Sequence, residues 1–108
     1  MMKNNKCAFI IPIHPKHYCY VEHIMTIAND SECDADFYFV LTYHKDKDIF
    51  PYPTANIILL CDYVSSNDMD IIKERNSWPS VKKLYGIEKL YKKYDYLCAI
   101  DAEVMFLR

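Results

Sequence analysis

Gly86 is the only glycine in a chain of 108 residues. At an average usage near 7%, a chain of this length would carry roughly eight. Glycine lets a backbone adopt positive φ and approach a ligand closely. With a single glycine the chain can form neither a Walker loop, nor a G-x-G-x-x-G dinucleotide fingerprint, nor a G-x-S-x-G nucleophile elbow. Those enzyme classes are excluded. The charge balance argues against another class of partner. Thirteen Lys plus Arg oppose 15 Asp plus Glu, a net charge of −2, so there is no basic footprint and no nucleic-acid partner is expected. Hydrophobic residues at 52% and charged residues at 26% belong to a globular chain. The length predicts a single domain over residues 1–108.

The five cysteines (Cys7, Cys19, Cys33, Cys61 and Cys98) are scattered and form no C-x-x-C pair. Three of them sit in apolar runs, where Cys behaves as a small hydrophobe. Reduced thiols and a cytoplasmic location are expected. The run 7–13 leads into His-Pro-Lys-His rather than a small-residue cleavage site. No stretch approaches the ~20 apolar residues of a membrane span. A soluble chain with no transmembrane segment is expected.

Four apolar runs, 7–13, 36–43, 56–62 and 95–101, punctuate the sequence. None alternates cleanly, which predicts strands buried on both faces, as in a parallel sheet. Pro12 has no amide proton and should mark the end of pairing in the first strand. Between the strands, Val21, Ile24, Met25 and Ala28 follow helical spacing. Toward the C-terminus, Leu84, Ile87 and Tyr91 share one stripe while Lys82, Lys83, Lys89, Lys92 and Lys93 are expected to stay solvated. Trp78-Pro79-Ser80 should open that helix, since Pro suits a first turn and Ser caps well. Residues 68–75 offer a further short helix, and 44–55, with Pro51 and Pro53, reads as an irregular connection. The alternation predicts an α/β fold: a Rossmann-like open, mostly parallel sheet with flanking helices.

In such sheets ligands bind beyond the carboxyl ends of the strands. At the end of the fourth run stands Asp101-Ala102-Glu103. Residues two apart on extended backbone share a face, at a rise of roughly 3.3 Å per residue. Two carboxylates so placed can hold one hard divalent cation, Mn²⁺ or Mg²⁺, together with substrate phosphates; the pair is equally readable as a solvated surface turn. At the end of the first run, His14, His17, Cys19 and His23 raise a zinc site, which the lack of a second ligand cluster opposes. The other reading is a loop whose rings pack against a nucleotide. His23 itself reads as an exposed helix residue. Lys82 and Lys83 precede the Asp101 strand and either can reach a phosphate, although a Lys-rich face is ordinarily just solvated. Asp62 ends the third run and is equivocal.

Ile11-Pro12-Ile13-His14-Pro15-x-His17-Tyr18 and the stretch 82–107, with Asp101-Ala102-Glu103 in the place of a D-x-D motif, resemble the N-terminal half of a GT-A-type glycosyltransferase of the surface-glycan kind. The resemblance covers nearly the whole chain in element order, with Glu in place of the usual second Asp. It implies that Glu103 and Asp101 hold the metal of a nucleotide sugar, with Asp101 also near the ribose. It also implies that Pro12, Ile13 and His14 lie against the nucleoside. A nucleoside diphosphate sugar, a UDP-sugar first among them, would be the donor and a glycan the acceptor. Such enzymes run on for at least another hundred residues or so, whereas this chain ends at Arg108. A truncated fold after the fourth strand is therefore expected, with weak stability or a second chain completing the sheet. The competing expectation is a non-catalytic module that binds another protein through its sheet edge. A receiver-like phosphoacceptor would need an acidic pair where Ile13-His14 stands.

Overall fold

The computed structural model describes residues 7–29, 35–52 and 54–101. The four apolar runs become strands β1 (Cys7–Pro12), β2 (Ala35–Leu41), β3 (Asn56–Leu59) and β4 (Tyr96–Ala99). They pair in parallel in the order β3-β2-β1-β4, with Ile10 level with Tyr38 on one side and Ala99 on the other. Helices lie on both faces of the sheet, so the central strands β1 and β2 need apolar residues at odd and even positions alike. On the edge strand β4, Tyr96 and Cys98 leave one face exposed.

Ile11, Phe37, Phe39, Leu41 and Leu59 point to one face, where they meet Val21 and Ile24 of α1 (Val21–Ala28). Ala8, Ile10, Val40 and Ile58 point to the other, against Leu90 of α4 (Trp78–Leu90) and Tyr94. The path from β1 to β3 runs one way across the sheet and the path to β4 runs back. Crossovers of one hand then require helices on opposite faces, as found. Between β3 and α4 lies α3 (Ser66–Glu74), whose Met69 and Ile72 cluster with Leu60 and Val64 beside Trp78 and Val81. Tyr94 ties the α4–β4 connection to β2: its hydroxyl donates to Asp36 Oδ2 at 2.6 Å and lies 2.8 Å from the Tyr38 hydroxyl.

Four sequence expectations are corrected. Part of the segment after β2 is helical: α2 (His44–Asp48) forms because the Asp46 carboxylate accepts the Tyr43 amide at 3.1 Å and the Asp46 amide donates to Tyr43 O. His23 is half-buried rather than exposed. The rotation of α4 is the largest correction. Leu84 and Tyr91 are 63% and 56% exposed, while the buried positions are Lys82, Gly86 and Leu90. A Cβ at Gly86 would sit 2.5 Å from Ile10 Cγ2. The small residue sets where the helix can lie closest to β1, and that overrides the apolar stripe. Ser80 lies within the first turn of α4, and the residue before the helix is Ser77. Among the described residues, no helix is long and apolar enough to cross a membrane.

Candidate functional site

β1 connects toward β2, whereas β4 is reached by the return path, so the strand order reverses between these two neighbours. Crevices outside the carboxyl ends of strands at such a reversal are the ligand sites of open α/β sheets. Pro12 helps to open this one. Ile13 N donates to Val40 O on the β2 side, and Ile10 O accepts Ile100 N on the β4 side. Alternation along β1 therefore aims position 12 toward β4, beyond the last paired residue of that ladder. The missing proton of Pro12 costs no hydrogen bond there, and the two strands part.

A cavity of about 200 Å³ fills the gap. Pro12, Ile13 and His14 line it from the end of β1, Trp78, Pro79 and Lys82 from α4, and Asp101 from beyond β4, with Lys16, His17 and Asn76 completing the wall. All five residues singled out as nucleotide contacts (Pro12, Ile13, His14, Lys82 and Asp101) thus border one space. Glu103, the other predicted metal ligand, lies outside the described residues, as does the apolar run 104–107.

Lys82 departs furthest from its expected place. Its ammonium donates to Ile13 O at 2.9 Å and the residue is only 3% exposed. Burial pushes its pKa down to about 8, partly opposed by the Asp46 carboxylate. Asp46 is itself buried, and its backbone oxygen accepts the Tyr18 hydroxyl at 2.8 Å. Burial, helped by the Asp46 charge, raises the Tyr18 hydroxyl to about 12, so it remains a donor at neutral pH. His14 caps the 3-10 turn Pro15–Tyr20, its Nδ1 accepting the Lys16 amide at 3.2 Å. Desolvation and the Lys82 charge lower its pKa, which favours the neutral ring. Asp101 Oδ1 lies 3.1 Å from Lys83 Nζ, both groups being partly solvated. The crevice therefore holds one desolvated cation, one carboxylate already facing a cation, and an imidazole biased toward its neutral form.

The histidines after β1 do not converge as a zinc site: His14 caps a turn, and the ring of His17 stacks on Tyr20 at 5.7 Å. Asp62 instead meets His44, Nε2 to Oδ1 at 3.0 Å. Sequence reasoning missed Asp46, because Tyr43 is not a capping residue type and hides the start of α2. It also missed Asn76, which adopts φ 54° and ends α3, its amide reaching Lys73 O while the Ser77 amide reaches Ile72 O. Asn replaces the glycine usual at that point and turns the chain so that Trp78 enters the cavity wall. The signal was present in Arg75-Asn76-Ser77, between two helical patterns. Comparison of the chain with models of protein families, with curated proteins and with solved structures finds no match.

Proposed function

We propose that the chain is the donor-binding part of a GT-A-type glycosyltransferase, which takes a nucleoside diphosphate sugar, a UDP-sugar first among them, and passes the sugar to a glycan acceptor. The observation that carries this reading is the crevice between β1 and β4, with a buried ammonium on one wall and a carboxylate on another. A cation kept in a cleft at a desolvation cost is a functional-site candidate. A diphosphate entering the crevice would offset that cost by pairing with Lys82. The Trp78 and His14 rings offer flat surfaces for a nucleoside.

Asp101 fits a hard divalent cation: it is an oxygen donor at the crevice that already faces the Lys83 ammonium. Asp101 and Glu103 would hold Mn²⁺ or Mg²⁺, which neutralises the charge of a departing diphosphate. The residues of the chain do the rest. Lys82 and Lys83 bind phosphate oxygens, and Pro12, Ile13 and His14 orient the nucleoside.

Thermal unfolding with Mn²⁺ plus UDP, with each alone, and in Glu103→Ala tests the proposal. Ligand at ten times its dissociation constant stabilises by about 1.4 kcal/mol, which is roughly 5–10 °C for a domain of this size. A shift that needs both components and is lost in the variant supports the donor site. A clean transition that neither UDP nor other nucleoside diphosphates move would overturn it. That outcome leaves the second reading, a module that pairs with another chain, favoured by the exposed Leu84 and Tyr91 on α4 and Tyr96 on the edge strand.

A further inference from the structure

We propose that His44, Cys61 and Asp62 form a separate site for a borderline-soft divalent cation, Zn²⁺ foremost, at the carboxyl ends of β2 and β3. The proposal is independent of the donor crevice, which lies at the ends of β1 and β4.

Two segments bring the donors together. His44 opens α2 just after β2, while Cys61 and Asp62 follow β3 in the 3-10 turn Leu60–Asp62. The Cys61 amide donates to Thr42 O at 3.1 Å, fastening the turn to the chain that leads into α2. Leu60 is fully buried, and the amides of Tyr63 and Val64 both return to its carbonyl. The frame is therefore fixed by backbone bonds and a core residue, and only the side chains need to adjust.

Their donor atoms, an imidazole nitrogen, the Cys61 sulfur and an Asp62 oxygen, all lie within 4.8 Å of one another. In a tetrahedral zinc site, Zn–S near 2.3 Å and Zn–N or Zn–O near 2.0–2.1 Å put donors roughly 3.3–3.6 Å apart. His44 Nε2 and Asp62 Oδ1, at 3.0 Å, are already closer than that. The sulfur, within 4.8 Å of the other donors, must close in by about 1.2 Å at most, and the nitrogen–oxygen pair must open by about 0.3 Å. His44 and Asp62 are exposed and Cys61 is half-buried, so an ion can enter and small rotations are available.

The chemistry selects the ion. Thiolate and imidazole favour Zn²⁺ over Mg²⁺ or Mn²⁺, which prefer oxygen. Binding would replace the His44–Asp62 contact by two metal bonds and release the Cys61 thiol proton to solvent. Three protein donors leave the fourth position for water or an incoming ligand.

Titration of the reduced full chain with Co²⁺ reads the site directly. One equivalent should bind with a thiolate-to-cobalt charge-transfer band that Zn²⁺ abolishes by displacement. Cys61→Ser should remove the band, and His44→Ala should weaken Co²⁺ binding at least about tenfold. Cys98→Ser, which changes an exposed thiol on β4, should leave the band intact. If Cys61→Ser fails to give a wild-type unfolding transition, His44→Ala, at an exposed ring, carries the test instead. No band in the wild-type chain, or a band that survives both variants, would overturn the proposal.

Discussion

Lys82 keeps an ammonium where the fold would be more stable with a neutral side chain. Its pKa falls from 10.5 to about 8 on folding, chiefly through burial. Between those two values the unfolded chain binds the proton and the folded chain does not. Stability must therefore rise with pH across that window, by of order 3 kcal/mol at full extent. Other groups titrate there too, so the informative quantity is the difference between the wild-type chain and Lys82→Met. Urea unfolding of both at pH 7.5 and pH 10 should give a wild-type stability that climbs relative to the variant, and equal slopes would refute the burial of this charge. At pH 7.5 the variant is expected to be the more stable of the two, since a charged lysine is there replaced by an apolar side chain of similar length. The residues at the site were partly readable for a plain reason. Strand ends are visible as the last apolar residue before a polar one, and those ends define the crevice. Lys82 could be named but not placed, because a lysine in a Lys-rich stretch carries no mark of burial. Asp46 could not be named, since its local partner Tyr43 is not a capping residue type and its other partners, Tyr18 and Lys82, come from distant parts of the chain.

Among the elements, the four strands and α1 follow directly from their apolar runs, and α4 shows where such reading stops. A hydrophobic stripe predicts which face is buried only when packing is limited by apolar area. Here it is limited by distance, because Gly86 must meet Ile10, a residue with no exposed surface. Gly86→Ala separates the two effects. Alanine would gain about 1 kcal/mol in helix propensity. It would also force a contact of 2.5 Å with the Cγ2 of a fully enclosed side chain. Overpacking of that kind costs typically 1–3 kcal/mol. The net expectation is a destabilisation of about 1 kcal/mol, seen as a fall of several degrees in the thermal midpoint. A rise in the midpoint would mean that α4 does not rest on β1 as described. Lys82 lies one turn before Gly86 on the same face, so a displaced α4 would also carry its ammonium away from Ile13 O.

For the whole molecule, turning α4 by its glycine leaves an apolar face uncovered. Leu84, Ile87 and Tyr91 remain exposed together on the helix, while Tyr96, 59% exposed on the edge strand β4, lies on the other side of the sheet, in line with Cys7 and Phe9. Parallel sheets ordinarily have both faces and their strand edges covered. One sequence feature therefore has two consequences: it seats the helix that builds the crevice, and it directs apolar side chains outward. We expect this face to drive reversible self-association. Sedimentation velocity over a range of concentrations should give a rising mean mass for the wild-type chain. The double variant Leu84→Lys and Tyr91→Lys should remain monomeric. In dilute solution its stability should stay within about 0.5 kcal/mol per site of the wild type, as for other exposed positions. Had these residues formed the buried stripe that their spacing predicts, the same substitutions would cost several kcal/mol through lost burial and an unpaired buried charge. A strongly destabilised double variant would restore the stripe reading and reject the seating of α4. A wild-type chain that stays monomeric at every concentration would instead limit the face to a partner of different sequence, and would count against self-pairing at the β4 edge.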